Sequence, residues 1–183
     1  MAVSWMRRRI MGLFTPDVND LRGLYIDGLR MALSSERQIV EKGLPAMIKA
    51  AKNPKLRDAF QAHLTESKTH VTRLEKILEA EQRDDDDSKC KVMAALIAGA
   101  SSEAGDANND ALRDVSLIAS GNKVEHHEIA VYGTLRTWAM VLGEDEDART
   151  LERTLQEEKN ADALLTRLSE QINVRAPASI AAD

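Results

Sequence analysis

Four long stretches of this 183-residue chain repeat apolar or small residues at intervals of three and four, in two closely joined pairs with nearly thirty residues between the pairs. The first stretch runs from Asp20 to about Ala51 and carries Leu21, Tyr25, Gly28, Ala32, Ile39, Gly43 and Met47 on one face. The second follows Asn53-Pro54, continues through Leu56, Phe60, Leu74 and Ile77, and ends near Gln82. The third, from about Ala111 to Leu142, places Leu117, Gly121, Tyr132, Leu135 and Ala139 inward. The fourth, from about Asp145 to Ile172, does the same with Leu151, Leu155, Leu165 and Leu168. This spacing predicts helices. Asn53 reads as an N-cap followed by proline at the first helical position, and Gly143 as a C-terminal stop. Such short connections make each pair antiparallel neighbours.

Between the pairs, Asp84 to Asp87 are four like charges that resist packing, so a solvated loop is expected. Lys91 to Ala100 suits a short extra helix, and Gly105 to Asn109 signals a second loop. Two tight hairpins joined by a long crossover define a ferritin-like four-helix bundle rather than a simple up-down one. The composition agrees with an all-α chain, since only 3% of residues are aromatic and four are proline. One domain is expected at this length, with a flexible segment over 1–15, the bundle over 16–173 and a flexible tail over 174–183.

Bulk properties exclude several classes of partner. With 30 acidic against 25 basic residues and a net charge of −5, the chain lacks the basic excess of a nucleic-acid binder. Cys90 is the single cysteine, which rules out an intrachain disulfide or a thiolate cluster within one chain and suits a reducing cytoplasm. The start, MAVSWMRRRIMGLF, is basic, but the apolar stretch behind Arg9 spans about five residues, short of a secretory h-region. Trp5, Met6, Ile10 and Phe14 give it the alternative of a docking peptide. No run approaches the roughly 20 apolar residues of a membrane span, so a soluble protein is expected.

The informative residues are the acids inside the apolar stripes, because a buried charge is costly unless paired, hydrogen-bonded or metal-bound. Glu36 falls between Ala32 and Ile39. His63, Glu66 and His70 continue the face of Leu56 and Phe60. Glu125 and Glu128 lie between Gly121 and Tyr132, and Glu158 and Asp162 between Leu155 and Leu165. A single such acid reads as a buried ion pair, with Arg73, Arg136 or Lys159 as counter-ion. Acids near mid-length of all four helices instead converge on one layer that cations must neutralise. Carboxylates with histidines and no thiolate suit iron or manganese and argue against structural zinc. Glu36 and Glu128 occupy similar places in the two hairpins, as do Glu66 and Glu158, a hint of pseudo-twofold symmetry.

The segments MGLFTPDVNDLRGLYIDGLRMALSSERQIVEKGLPAM, FQAHLTESKTHVTRLEKI, KVEHHEIAVYGTLR and LQEEKNADALLTRL resemble the YciE/YciF family of bacterial stress proteins, KVEHHEIAVYGTL most specifically. The resemblance implies a ferritin-like bundle with a di-iron centre, two ions per chain, often dimeric, in a family labelled ferroxidase by analogy. It places the metal on Glu36, Glu66, Glu128 and Glu158, with His63, Glu125 and Asp162 as further ligands. Either His63 or His70 supplies an imidazole. The wider ferritin-like pattern expects Glu-x-x-His in the second and fourth helices, whereas here Ser67 stands three before His70 and Glu158 is followed by Asp162. His126 and His127 turn away from the stripe. Tyr132, Trp138 and Gly121 read mainly as packing residues. The expected function is oxidation of Fe(II) by O2 or peroxide in a homodimeric stress protein. Manganese-dependent peroxide removal and a non-catalytic helical interaction protein are the alternatives.

Overall fold

The computed structural model describes residues 19–81 and 89–176. Its helices are α1 (Leu21–Gln38), α2 (Leu44–Ala50), α3 (Pro54–Ala80), α4 (Lys91–Asp106), α5 (Asp110–Leu142) and α6 (Asp145–Ile172), with a π-helical turn over Ile39–Gly43 joining α1 to α2. The described residues contain no strand, and the fold is all-α. The expectations for segment 1–15, for Asp84 to Asp87 and for the tail beyond 176 fall outside the described residues.

The Asn53 and Gly143 caps expected from the sequence are made, and Asp20 and Asn109 cap two further helices. Asp20 Oδ1 accepts the Gly23 amide at 2.7 Å, Asn53 Oδ1 the Lys55 amide at 2.9 Å and Asn109 Oδ1 the Leu112 amide at 2.9 Å, each filling an otherwise orphaned helix-terminal donor. Gly143 adopts φ 79°, a left-handed conformation natural to glycine, and lets the Glu144 amide return to the Ala139 carbonyl at 2.9 Å.

Three boundaries differ from the sequence reading. The first helix is not uniform, because Pro45 cannot donate to the preceding turn and its ring crowds the carbonyl four residues back; the π turn just before it absorbs the misfit, with the Leu44 amide bonding Ile39 O. The short helix α4 runs on through Gly105 to Asp106, since the Arg113 guanidinium donates to the Ala104 and Ala107 carbonyls at 3.3 and 3.2 Å and so completes its C-terminus. At the other end of the chain, a 3₁₀ turn occupies Asn173–Arg175, where a frayed tail is expected from the sequence.

In the bundle, α1 packs against α3 and α5, and α6 against the same two, so that α1 and α6 are diagonal. Arg22 at the start of α1 binds Glu81 at the end of α3 and Glu144 in the α5–α6 turn, and Asp114 near the start of α5 meets the α2–α3 turn. Every adjacent pair is therefore antiparallel, which the long crossover through α4 makes possible. The buried stripes of α3 (56, 60, 63, 67, 70, 74, 77) and α5 (114, 118, 121, 125, 128, 132, 135, 139) alternate steps of four and three, the coiled-coil seam of a bundle. Gly121 admits close packing: a Cβ there would lie 2.7 Å from Leu165 Cδ1.

The apolar core is in two pieces. One contains Ile39, Leu44, Met47, Phe60, Leu117, Val124 and Leu165; the other contains Tyr25, Leu29, Leu33, Leu74, Tyr132, Leu135 and Leu155. A polar layer lies between them.

Asp114 ties the two hairpins together. It is buried, and its two carboxylate oxygens accept the Lys52 and Asn53 amides, each at 2.8 Å. Asp114→Ala strands both donors and is expected to cost roughly 3 kcal/mol, a fall in Tm of about 6–12 °C at this size. Thermal unfolding followed by circular dichroism checks this, and a loss below about 1 kcal/mol contradicts it.

Candidate metal centre

Each long helix sends at least one acid or imidazole into the polar layer. Glu36 comes from α1, His63 and His70 from α3, Glu125 and Glu128 from α5 and Glu158 from α6, and all six are buried. They form two groups of convergent donor atoms: His63, Glu125, Glu128 and Glu158 in one, Glu36, His70 and Glu158 in the other, each within 4.8 Å. Glu158 belongs to both and is fully buried.

The donor atoms face one another across a small space. His63 Nε2 lies 3.4 Å from Glu125 Oε1 and 3.6 Å from Glu158 Oε2. His70 Nδ1 lies 3.1 Å from Glu36 Oε1 and 2.9 Å from Glu158 Oε1. Yet both oxygens of Glu128 and Glu158, both nitrogens of His63, Glu36 Oε2 and Glu125 Oε2 lack a well-formed hydrogen bond. Buried polar atoms are rarely left so. Eight such atoms aimed at one layer are what a cation-binding site leaves in the protein's own hydrogen bonding, and the oxygen- and imidazole-rich set fits iron or manganese.

Electrostatics show the same imbalance. Burial, with the charges of Glu36, Glu158 and Glu125, pushes Glu128 well above the carboxylate range. Burial raises Glu125 strongly despite the opposing His63, and raises Glu36 despite its bonds to His70 and Tyr132. Glu158 is lowered: its burial opposes this, but His70 and His63 outweigh it. Burial also works against charged imidazoles, but the carboxylates prevail, lifting His63 to about 9 and His70 to about 11.

Supporting residues hold the layer from behind. Tyr132 Oη donates to Glu36 Oε1 at 2.6 Å, so this tyrosine both packs and fixes a carboxylate. His70 Nε2 lies 2.9 Å from Glu157 Oε2, and Arg73 clamps Glu157 through both terminal nitrogens. This chain directs Nδ1 of His70 toward Glu36 and Glu158. Glu157 was not anticipated from sequence; its only signal there is a second acid adjoining Glu158.

Two expected site residues stand apart. The α3 seam passes through 63, 67 and 70, so Ser67 is buried where a carboxylate is expected and Glu66, one residue off the seam, turns outward. Its side chain is 51% exposed, with Oε2 3.8 Å from His63 Nδ1. Asp162, one turn past Glu158, accepts from Asn122 Nδ2 at 2.7 Å and lies 3.1 Å from the exposed His126. His127 is beside Cys90, 4.0 Å from its sulfur. Of the counter-ions the sequence offers, Arg73 pairs with Glu157 and Arg136 with Glu152 rather than with the buried acids, and Lys159 is exposed.

Comparison with known proteins places the chain in a family. The Escherichia coli strain K12 protein YciF is 36% identical over 154 residues, 84% of this chain and 92% of its own. The crystal structure of the E. coli stress protein YciF matches with a TM-score of 0.81 at 35% identity, covering 87% of this chain and all of that one. YcfI from Rhodopseudomonas palustris, provisionally described as a structural protein, matches with a TM-score of 0.80 at 35% identity, over 84% of this chain and 97% of its own. The model of a domain of unknown function, DUF892, matches residues 20–177, and the chain accordingly belongs to the DUF892 family, of which it is a YciF-like member.

Proposed function

We propose that the polar layer binds two iron ions per chain and that the protein oxidises Fe(II) with O2 or peroxide, as a stress protein of the cytoplasm acting as a homodimer. The observation that carries this reading is Glu158, a fully buried carboxylate common to two groups of donor atoms, the position a bridging ligand takes. Glu36 and His70 would complete one ion's ligand set, and His63, Glu125 and Glu128 the other's. Two ferrous ions held by these residues would supply two electrons, enough to reduce O2 to hydrogen peroxide, or peroxide to water, with uptake of two protons.

The chain's own residues do the rest. The apolar clusters on either side of the layer lower its effective dielectric, which strengthens each electrostatic contact inside it. Tyr132 and the Glu157–Arg73 pair fix the orientation of Glu36 and His70, so the ligands need little rearrangement when an ion arrives. No helix among the described residues is long and apolar enough to cross a membrane, which accords with an aqueous compartment. The name stress protein belongs to the E. coli relative, and its extension to this chain rests on the shared family.

Metal analysis of protein purified without chelator, followed by anaerobic Fe(II) titration and then air or peroxide, tests the reading. About two irons per chain and their conversion to Fe(III) are expected. Glu158→Ala should lose both ions, whereas Glu128→Leu should lose chiefly the one beside His63. Manganese in place of iron would move the activity to peroxide removal, and no specific metal would leave a helical interaction protein.

Glu128→Leu also separates a metal site from a structural ion pair. It removes two unpartnered buried oxygens, so the metal-free variant should be more stable than wild type by roughly 1–3 kcal/mol, with a smaller rise in Tm on adding metal. Destabilisation of the metal-free protein would point to an ion pair instead.

The raised imidazoles set the pH dependence. In the metal-free protein His63 and His70 titrate at about 9 and about 11 and are protonated at neutral pH, as are carboxyls raised far enough. A cation must displace these protons. Binding should therefore release at least the two imidazole protons at pH 7, and affinity should rise between pH 7 and 9. Calorimetry in buffers of different ionisation enthalpy checks the sign, and proton uptake would contradict it.

A further inference from the structure

Glu66 is one of the two residues that the resemblance assigns to the site and the structure leaves outside the buried layer, and its surroundings suit a different task. It lines a cavity of about 150 Å³ between α3 and α6, large against the ~10–15 Å³ that one water requires. The walls are apolar, with Phe60 and Leu164 prominent, and the charged or titratable groups in them are Glu66, His63 and Glu125. At the outer side, Glu66 and Leu164 have side chain or residue exposures of 51% and 37%. At the inner side, His63 and Glu125 belong to the buried donor group. A larger cavity of about 290 Å³ beside α2, α4 and α5 has no acid or histidine in its lining.

We propose that this cleft is the route by which divalent cations reach the buried layer, with Glu66 as the carboxylate that captures them at its mouth and His63 as the first inner contact. The inference rests on the metal-binding reading above and adds a path and a kinetic role to it. Glu66 Oε2 stands 3.8 Å from His63 Nδ1, and His63 Nε2 stands 3.4 Å from Glu125 Oε1. Donors thus succeed one another from solvent to the layer at spacings a cation can cross while exchanging a water for a ligand at each step. Neither nitrogen of His63 has a well-formed hydrogen bond although the residue is buried, so no internal hydrogen bond holds the side chain back from exchanging its proton for an ion and passing that ion inward. An anionic group at the mouth of an apolar-walled cleft also raises the local cation concentration, an effect weakened by salt.

Stopped-flow uptake of Co²⁺ by the metal-free full chain, followed by ligand-field absorption, tests the route. Glu66→Ala should slow uptake about fivefold and Leu164→Trp, which plugs the cleft, at least tenfold, while both still bind the wild-type number of ions with the wild-type rise in Tm. Raising the salt concentration should slow wild type more than Glu66→Ala. Glu41→Gln, an exposed acid away from the cleft, should load like wild type. Unchanged rates in both cleft variants, or equal slowing by Glu41→Gln, would overturn the route. Loss of an ion in Glu66→Ala would overturn it differently, by making Glu66 a ligand. Wild type that takes up no Co²⁺ but does bind Fe(II) or Mn(II) is retested with that ion, and wild type that binds none of them removes the metal reading and the route with it.

Discussion

Mutual repulsion among four buried carboxylates is the constraint around which the molecule is organised. Glu36, Glu125, Glu128 and Glu158 share one buried layer. At an effective dielectric of about 20, two like charges roughly 4 Å apart repel by ~4 kcal/mol, while a domain is stable by only about 5–15 kcal/mol in total. Full ionisation without compensation would consume that margin. The protein's own remedy is partial: His63 and His70 become cations, lifted to about 9 and about 11, while burial holds several acids toward their neutral forms. The unpartnered oxygens of Glu128 show that internal bonding stops short of satisfying the layer.

The rest of the fold bears that strain. The apolar core divides into a cluster on each side of the layer, and contacts at the ends of the bundle hold the helices in register. Asp114 fastens α5 to the α2–α3 turn at one end, and Arg22 joins α1, α3 and the α5–α6 turn at the other. The seam of alternating fours and threes then decides which side chains face inward. The π turn at Ile39–Gly43 begins three residues after Glu36, so the irregularity imposed by Pro45 is taken up beyond the layer and α1 stays regular through Glu36.

Much of this was legible in the sequence because it is periodic or local. Helix caps at Asn53 and Gly143 depend on neighbouring residues, and the apolar stripes led to all six members of the layer. Glu66 was misplaced because a stripe sampled at loose three-four spacing tolerates an error of one residue, about 100° around a helix; the strict seam through Leu56, Phe60, His63, Ser67 and His70 selects Ser67 instead. Asp162 does lie one turn past Glu158, but hydrogen bonds to a neighbouring polar side chain, Asn122, hold it outside the layer. Asp114 and Glu157 act on partners far along the chain, main-chain amides in one case and His70 with Arg73 in the other. No local pattern marks such residues. The extension of α4 likewise depends on Arg113, beyond the loop signal that was read as its end.

The weak likeness of the two hairpins fails at an informative place. Glu36 and Glu128 are both in the layer, but Glu158 has no acidic counterpart there, since α3 contributes His63, Ser67 and His70 while Glu66 stays outside. With Glu66 turned inward the layer would hold a fifth carboxylate. With imidazoles in their neutral, ligating form, four carboxylates balance the charge of two divalent cations, whereas five would leave a net negative charge in a low-dielectric interior, a costly condition. Turning Glu66 outward therefore serves two ends at once. With the two-ion occupancy proposed above, it would match the charge of the layer to a pair of divalent ions, and it leaves the surplus carboxylate in contact with water, where its charge is cheap to maintain.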